Sequence, residues 1–530
     1  MHTSNSLLLI GAATAAGTAA AARPATEKTT VKRPHIILIM ADQMRGDCLG
    51  AVNPAIRTPN LDRLAAEGTL FTRAYSSVPS STPARAGLLT GLSPWHHGMV
   101  GYGRVAEHYR YEMPRMLARA GYYTFGIGKM HWFPQKALHG FHGTLVDESG
   151  RIEQNGFVSD YRNWFKLHAP GMNPDSLHIS WNSHYAAAYP FDEHLHPTAW
   201  TAQTAIDLIE SYTLDRPLFL KISFARPHSP YDPPERFVRL YDGAEIPGPI
   251  RSSWSERFAR RDVAETSDAC YGDFGDSVAL RARKYYYANI SFIDHEIGRI
   301  IDELKRKGMY DDTLIIFLSD HGDMLGDHNH WRKTYPYEGS VHVPFIVRLP
   351  RPMQERYGGV NGQRTQAVEL RDVLPTMLDA AGCTTPDDMD GRSVLPLIAD
   401  PEAPWREWLD LEHARIYEPE NSWAALTDGQ MKYIRNFATG REELFDLAAD
   451  PDERHNLAEE KGHEACLDKW RRRLAEHFAE RGEPYVKKGE LQIITGKIIY
   501  SPHYPGPTAP VSPEEKSELQ RWRREVSNWR

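Results

Sequence analysis

The segment 80–91 places a hydroxyl nucleophile close to a guanidinium. Ser81 is followed two positions on by Pro83, four positions on by Arg85, and then by a Thr-Gly pair. Proline fixes its own φ, so the chain is predicted to turn sharply at Pro83 and to open a helix over 86–89. The Ser81 side chain and the free N–H groups of that helix would then face one point, which suits a bound anion. A helix-capping turn is the alternative interpretation.

Oxygen ligands follow the first apolar run of the chain. Residues 35–40 read His-Ile-Ile-Leu-Ile-Met, which predicts a buried parallel strand, and Asp42 and Gln43 follow its end. In open α/β sheets, ligands bind at the carboxyl ends of the strands. A carboxylate and an amide oxygen at that place suit a hard cation such as Ca²⁺. For Asp42 alone, an ordinary strand-end turn is the alternative.

Basic side chains follow two further predicted strands. Lys129 and His131 come after the strand 122–127, and on an extended chain they would point to the same side. His228 comes after the strand 218–224. A lysine with histidines suits sulfate binding and proton transfer. Taken singly, each is also common as a surface or hydrogen-bonded structural residue.

A fourth predicted strand, 314–318, ends in a segment dense in acidic and imidazole groups. It reads Ser-Asp-His-Gly-Asp-Met-Leu-Gly-Asp-His and includes Asp320 and His321, and Lys333 follows it. These side chains would lie at the same edge of the sheet as Asp42.

Five such segments, over about 34–457, resemble in content and order the motifs of the type I sulfatases, with serine at the nucleophile position. The resemblance implies that Ser81 is oxidised to formylglycine by a formylglycine-generating maturase, and that one divalent cation, Ca²⁺, is bound. It implies two sets of site residues. The metal ligands are Asp42, Gln43, Ser81, Asp320 and His321. The catalytic residues are Ser81, Arg85, Lys129, His131, His228 and Lys333.

The roles that this resemblance implies divide the reaction among those side chains. Lys129 and Lys333 would hold the sulfuryl group, and His228 would protonate the leaving oxygen. His131 would take the proton whose removal expels sulfate, and Arg85 would pair with the nucleophile and with the charges at the metal. Histidine is an unusual ligand for Ca²⁺.

The resemblance also implies an α/β architecture of the alkaline phosphatase-like sulfatase fold. We expect a large, mixed, mostly parallel central sheet flanked by helices, including a long amphipathic helix within 280–307. Short alternating segments after about residue 405 predict a smaller C-terminal antiparallel sheet. The expected divisions are a leader at 1–30, a catalytic domain at 31–400, and an α+β subdomain with a wrapping tail at 401–530.

Composition limits the partners and the location. The 62 basic and 70 acidic residues give a net charge of −8, which argues against nucleic acid as the main partner. Four widely separated cysteines give no disulfide framework. The small apolar run 6–22 resembles a secretory signal without a basic start, which favours a periplasmic or secreted protein. A flexible leader is the alternative, and the run is too weakly apolar for a stable membrane span.

Between 139 and 197 the sequence is aromatic and polar and has little periodicity, which predicts long loops forming a wall against the substrate. Export and these aromatics favour a sulfated carbohydrate, such as a glycosaminoglycan, as substrate. Two groups of alternatives remain. One is an arylsulfatase, or a phosphoester or phosphonate monoester hydrolase of the same superfamily. The other is a non-catalytic glycan-binding relative, if Ser81 is not oxidised.

Overall fold

A computed structural model describes residues 32–259, 268–357, 361–417 and 421–506. The leader predicted at 1–30 and the last part of the predicted tail, 507–530, lie outside the described residues. The strands are β1 His35–Asp42, β2 Thr69–Phe71, β3 Ala74–Tyr75, β4 Tyr123–Gly128, β5 Gly143–Val146, β6 Leu218–Pro227, β7 Thr313–Ser319, β8 His342–Val343, β9 Phe345–Arg348, β10 Gly362–Arg364, β11 Val368–Glu369, β12 Leu409–His413, β13 Trp423–Thr427, β14 Met431–Asn436, β15 Glu442–Asp446, β16 Val486–Lys487 and β17 Glu490–Leu491.

The α-helices alternate with the strands in the first 400 residues and become sparse beyond them. They are α1 Pro59–Glu67, α2 Ser81–Thr90, α3 Pro94–His97, α4 Met113–Arg119, α5 Asp160–His168, α6 Pro197–Ser211, α7 Glu235–Arg239, α8 Asp276–Arg306, α9 Glu338–Val341, α10 Arg351–Tyr357, α11 Val373–Ala380, α12 Leu395–Ala399 and α13 Glu464–His477.

An eight-stranded sheet forms the centre of the fold, in the order β10-β2-β9-β7-β1-β6-β4-β5. Only β9 runs antiparallel to its neighbours in this sheet, pairing so with β2 and with β7. The sheet is therefore mixed and mostly parallel, and the predicted fold class is confirmed.

Both faces of this sheet are covered, which explains the continuous apolar runs of its inner strands. Side chains alternate across a strand, so β1 contributes to two separate cores. One core, against α1, α6 and α8, takes Ile37, Ile39 and Ala41. The other, which includes side chains of α2 and α11, takes Ile36, Leu38 and Met40.

The smaller antiparallel sheet is also present, in the order β12-β13-β14-β15. Helix α13 packs on it through Trp470 and Leu474, which share a core with Tyr433 and Leu444. Its four strands lie between residues 409 and 446, in the part of the chain where the alternating segments predicted them.

Two local predictions differ from the structure. Helix α2 begins at Ser81 rather than near Ala86, because proline is tolerated in the first turn of a helix and Pro83 occupies that turn. The segment 139–197 includes β5 and α5, so it is less irregular than its sequence indicates.

None of the helices in the described residues is both long and apolar enough to cross a bilayer. The four cysteines are free; Cys48 is buried and the other three are half-buried.

Candidate active site

The predicted site residues meet at the carboxyl ends of four neighbouring strands, β7, β1, β6 and β4. Asp42 is the last residue of β1, while Lys129 and Asp320 directly follow β4 and β7. Ser223 faces the same place from β6, although the sequence motifs did not single it out. Parallel pairing puts these strand ends at one edge of the sheet, and this brings together residues almost 300 positions apart.

One guanidinium connects these strand ends. The buried Arg85 donates from Nε to Asp320 Oδ2 at 2.9 Å and from Nη2 to Asp42 Oδ2 at 3.0 Å. Its Nη1 donates to the carbonyl of Lys129 at 2.6 Å and to Ser223 Oγ at 3.1 Å. Burial opposes its charge, but Asp320 and then Asp42 raise the pKa of Arg85 above its ordinary value. Arg85 therefore stays cationic and fixes the relative positions of the two carboxylates.

Helix α2 presents Ser81 and Arg85 together. Ser80 is extended (φ −155°, ψ 148°) and the helix begins with the next residue, so Ser81 lies in the first turn with Arg85 one turn later on the same face. The helix ends at Gly91, whose φ of 70° is a left-handed conformation favourable to glycine. The Ser81 hydroxyl lies 3.0 Å from His321 Nε2, so the nucleophile position adjoins the predicted metal ligands.

The donor set of the predicted metal site fits a divalent cation. One ligand atom from each of Asp42, Asp320 and His321 can be chosen so that all lie within 4.8 Å of one another. Asp42 Oδ1 is buried and has no hydrogen-bond partner among the described residues. The His321 Nδ1–H donates to the carbonyl of Gly322 at 2.9 Å, which leaves the Nε2 lone pair facing the carboxylates, as in a metal-ligating histidine. Burial opposes ionisation of Asp320, but His321, Arg85 and Lys129 hold the pKa of this carboxyl below its usual range.

Gln43 joins the metal side of the site to the second lysine. It has a left-handed backbone (φ 68°), and its N–H donates to Asp320 Oδ1 at 3.0 Å. The side-chain amide N–H donates to Asp323, and Lys333 Nζ donates to the amide oxygen at 2.6 Å. Asp323, which also accepts from Tyr231 at 2.8 Å, therefore sets the orientation of this amide. The sequence motifs did not single out Asp323, although it lies in the acidic segment that follows β7.

His228 and Lys333 form a hydrogen-bonded pair. The His228 Nδ1–H donates to the carbonyl of Ser229 at 2.9 Å, so Nε2 is the acceptor for Lys333 Nζ at 2.8 Å. Burial, followed by the charges of Lys333 and Lys129, holds the pKa of His228 well below its ordinary value. The hydrogen bond therefore places its proton on Lys333 Nζ, while burial and then Arg332 hold the pKa of Lys333 well below its ordinary value.

The backbone on either side of Lys333 is strained. Arg332 and Thr334 have φ values of 68° and 83°, and for a β-branched residue such as Thr334 this is a rare conformation. The C-terminal subdomain holds it in place. Asn421 Nδ2 and Trp423 Nε1 both donate to the Thr334 carbonyl, at 3.1 and 2.8 Å, and the Thr334 hydroxyl donates to Asn421 Oδ1 at 2.9 Å. Strain that is fixed in this way is typical of functional sites.

Lys129 and His131 also lie in the site, but not for the reason that the sequence suggested. Strand β4 ends at Gly128 and His131 is left-handed (φ 57°), so the chain is not extended there. Instead, the buried Glu148 carboxylate accepts from the N–H groups of Met130 and His131 at 3.0 and 2.9 Å and fixes the turn.

The charge states of these two side chains differ. Lys129 forms a buried ion pair with Asp42, while burial and then Arg151 lower its pKa to about 8. Burial and then Arg151 hold the pKa of His131 well below its ordinary value. His131 is therefore a neutral imidazole, and its Nε2 lies 3.4 Å from Glu153.

A cleft of about 250 Å³ opens from Ser81 towards the surface. Arg151 lies at its inner end, with Nη2 3.5 Å from His228 Nε2. This residue and Glu148 both come from the segment that the sequence presented only as a loop, and no local pattern marked them. The lining of the cleft also includes Tyr102, His131, Ile152, Glu153, Trp181, Asn182, Arg332, Lys333, Ile416 and Tyr417.

Comparisons with known proteins show what the chain is similar to. A family model described as Sulfatase matches residues 34–383, and one described as N-sulphoglucosamine sulphohydrolase, C-terminal, matches residues 326–480. An arylsulfatase of Clostridium perfringens (strain 13 / Type A) is 37% identical over 477 residues, covering 87% of this chain and 97% of that protein. A choline-sulfatase of Rhizobium meliloti (strain 1021) is 33% identical, with coverages of 81% and 83%. The crystal structure of a phosphonate monoester hydrolase of Agrobacterium radiobacter aligns with a TM-score of 0.72 and 27% identity, covering 84% of this chain and 96% of that one.

The site can be tested by truncating Lys129, which is predicted to face the anion, or His228, which is predicted to transfer a proton. We expect Lys129→Ala and His228→Ala each to lower kcat/KM on a sulfate ester by about a hundredfold or more, because each removes a preorganised donor or proton relay. The exposed Lys136, which pairs with Asp160 at the surface, supplies the control Lys136→Ala. Thermal melting should show folded protein in all three variants. Wild-type rates in Lys129→Ala or His228→Ala would remove that residue from the site.

The hydrogen bonds from Asn421 and Trp423 to Thr334, called the Thr334 clamp, give a second prediction. Trp423→Phe keeps an aromatic ring, although a smaller one, and removes the N–H bonded to Thr334, so Lys333 should shift and kcat/KM should fall by about tenfold to a hundredfold. Trp405→Phe is the matched control, because its Nε1 donates to the carbonyl of Ala367 at the same 2.8 Å away from the site. Each variant should lose about 1 kcal/mol of unfolding free energy with its hydrogen bond, and Trp423→Phe should lose more because Trp423 is buried and Trp405 is half-buried. Equal kinetics in the two variants would show that the clamp does not position Lys333.

Proposed function

The chain belongs to the sulfatase family and is a sulfuric-ester hydrolase, and we propose that it removes O-sulfate groups from a sulfated glycan with a modified Ser81 as nucleophile. The observation that carries the proposal is the position of Ser81. Its hydroxyl adjoins a cluster of two carboxylates and an imidazole, with Arg85 binding both carboxylates and two further lysines facing the same point. That arrangement suits a sulfuryl group held by cations beside a nucleophile.

Ser81 is proposed to be converted to formylglycine by a maturase that removes two hydrogens from its side chain. An unmodified serine is a poor nucleophile unless a base activates it. Here the hydrogen-bond partner of Ser81 Oγ is His321, whose free nitrogen faces the predicted metal position. An aldehyde hydrate supplies hydroxyls without that requirement.

Asp42, Asp320 and His321, with Gln43 and modified Ser81 alongside, are proposed to hold the cation, and the preponderance of oxygen donors favours Ca²⁺. A bound divalent cation would polarise the sulfuryl oxygens and lower the charge repulsion against attack. Arg85 pairs with both carboxylates and orients them towards it.

The remaining residues are proposed to handle the substrate and the protons. Lys129 and Lys333 bind sulfuryl oxygens from opposite sides. His228 Nε2 takes a proton from Lys333 Nζ across their hydrogen bond and passes it to the leaving sugar oxygen, which leaves Lys333 as a neutral amine. His131, a neutral imidazole, removes the proton whose loss releases sulfate.

The glycan assignment draws on the cleft and on the second family model. Tyr102, Trp181 and Tyr417 line the cleft, and aromatic faces are suitable surfaces for sugar rings. The family model over 326–480 carries the name of a sugar sulphohydrolase. The likeness to an arylsulfatase keeps aryl sulfates as a second candidate, and the likeness to a phosphonate monoester hydrolase keeps phosphonate monoesters. Turnover of position-defined sulfated disaccharides, 4-nitrophenyl sulfate and phenylphosphonate monoesters, compared by kcat/KM, would decide among them.

Periplasmic or secreted location is part of the proposal and depends on the apolar run 6–22 acting as a signal.

Oxidation of Ser81 has a direct signature. Protein produced together with a maturase should yield a Ser81 peptide about two mass units lighter than its sequence requires, since serine loses two hydrogens on becoming an aldehyde. Activity should rise in proportion to the converted fraction, and Ser81→Ala should be inactive at normal thermal stability. The Ser93 peptide from the same digest is the internal control. Full activity in protein whose Ser81 peptide has the unmodified mass would overturn the proposed nucleophile.

Removal of the cation should lower both activity and stability. A ligand that binds only the folded state at a hundred times its dissociation constant adds about 2.7 kcal/mol, so chelation should lower the melting temperature and Ca²⁺ should restore it. Asp42→Asn should abolish this response to Ca²⁺, whereas Asp47→Asn should retain it, because Asp47 pairs with Arg45 outside the cluster. Identical melting curves with and without chelator would argue against a bound cation.

A further inference from the structure

The cleft contains two arginines in addition to Arg85, Lys129 and Lys333: Arg151 at its inner end beside His228, and Arg332 beside Tyr417 in the outer cleft. Arg332 lies over the ring of Tyr417 at 4.4 Å, and Arg151 lies over the ring of Trp181 at 5.4 Å. Both arginines and both rings line the cleft that starts at Ser81. Stacking covers one face of each guanidinium and leaves its N–H edges available to a planar or tetrahedral anion.

Arg332 has unused hydrogen-bonding capacity. Its Nη1 donates to the carbonyl of Asp268 at 3.0 Å, while its Nε is buried and without a hydrogen-bond partner in the described part of the chain. A guanidinium has five N–H donors, and among the described residues one of those of Arg332 has a backbone acceptor while its Nε has none, so donors remain for another group.

The charges of the inner site do not require this arginine. Arg85 and Lys129 bind the carboxylates Asp42 and Asp320, and with Lys333 they already surround the position proposed for a singly charged sulfate ester. Among the described residues that line the cleft, Glu153 is the acidic one, and it faces His131 rather than Arg332. The outer cleft therefore keeps a positive charge that one sulfate ester does not neutralise.

We propose that Arg332, held against Tyr417, binds a second anionic group of the substrate, a carboxylate or a further sulfate, so that the preferred substrates are polyanionic sulfate esters. The proposal rests on the function proposed above for the inner site. Arg332 is then a specificity-determining residue, because it binds a part of the substrate that does not react.

Three aryl esters that differ in one substituent provide the test. They are 4-nitrophenyl sulfate, 3-carboxy-4-nitrophenyl sulfate and 3-sulfonato-4-nitrophenyl sulfate, and kcat/KM is measured for each with formylglycine-containing protein. The wild type should prefer one or both of the charged esters by about tenfold or more, as a charge-assisted hydrogen bond provides. The ester preferred identifies a carboxylate or a sulfate as the natural group. Added NaCl should reduce the preference.

Variants at Arg332 separate recognition from a general effect on the site. Arg332→Gln should lose the preference, so its kcat/KM should fall at least about tenfold more on the preferred charged ester than on 4-nitrophenyl sulfate, and Arg332→Lys should retain part of the preference. The control Arg356→Gln removes another arginine stacked on a tyrosine, Tyr357, from the exposed helix α10. It should leave all three values unchanged.

Two outcomes would overturn the proposal. One is an unchanged preference in Arg332→Gln, and the other is an equal loss on all three esters, which would mean that Arg332 serves only to place Lys333. Calorimetry with Ser81→Ala protein measures binding of the same esters without turnover, and equal affinities for the three would likewise contradict the second anion site. Absence of turnover by the wild type on every sulfate ester, with binding intact, would instead count against the proposed function.

Discussion

The arrangement of this site depends on the hydrogen bonds of one buried guanidinium. Arg85 contacts groups from four adjacent strand ends, and two of those groups are carboxylates that approach each other closely enough to share a cation. Two such carboxylates would repel each other in a buried site. The arginine offsets that repulsion, and its planar fork fixes the directions of their oxygens. A lysine at this position would supply the charge without the geometry.

The C-terminal subdomain completes the site from the opposite side. Trp423 and Asn421, at the start of β13, hold the strained Thr334 next to Lys333. At the end of β12, His413 Nε2 lies 3.0 Å from the hydroxyl of Ser80, the residue that precedes the nucleophile position. The main sheet therefore positions Asp42 and Asp320, while the small sheet supports Lys333 and the start of α2. The smaller sheet therefore contributes contacts to the candidate site as well as to the fold.

The sequence predicted the main features of the fold and most of the site because the relevant signals are local. Apolar runs identified β1, β6 and β7, and polar residues at their ends identified Asp42, His228 and Asp320. Glu148, Arg151 and Asp323 escaped notice, since each acts by contacting a residue distant in sequence and none lies in a periodic segment. The position of His131 was predicted correctly from an incorrect premise, because a left-handed turn held by Glu148, rather than an extended strand, places it there.

The inner site and the outer cleft differ in the same way, because most of the inner site comes from regular elements and the outer cleft comes from irregular segments. Except for Lys333, the groups proposed to face the sulfuryl group come from or just after strand ends and from α2, where parallel pairing and Arg85 leave them little freedom. Trp181 and Tyr417, which line the cleft, come from irregular segments of the chain. Substitutions in those segments can alter the outer cleft without disturbing the buried ion pairs of Arg85, because loops tolerate change and a packed sheet does not. A family resemblance, which depends on the strand-end motifs, therefore carries information mainly about the buried cluster around Arg85 and little about the side chains that line the outer cleft.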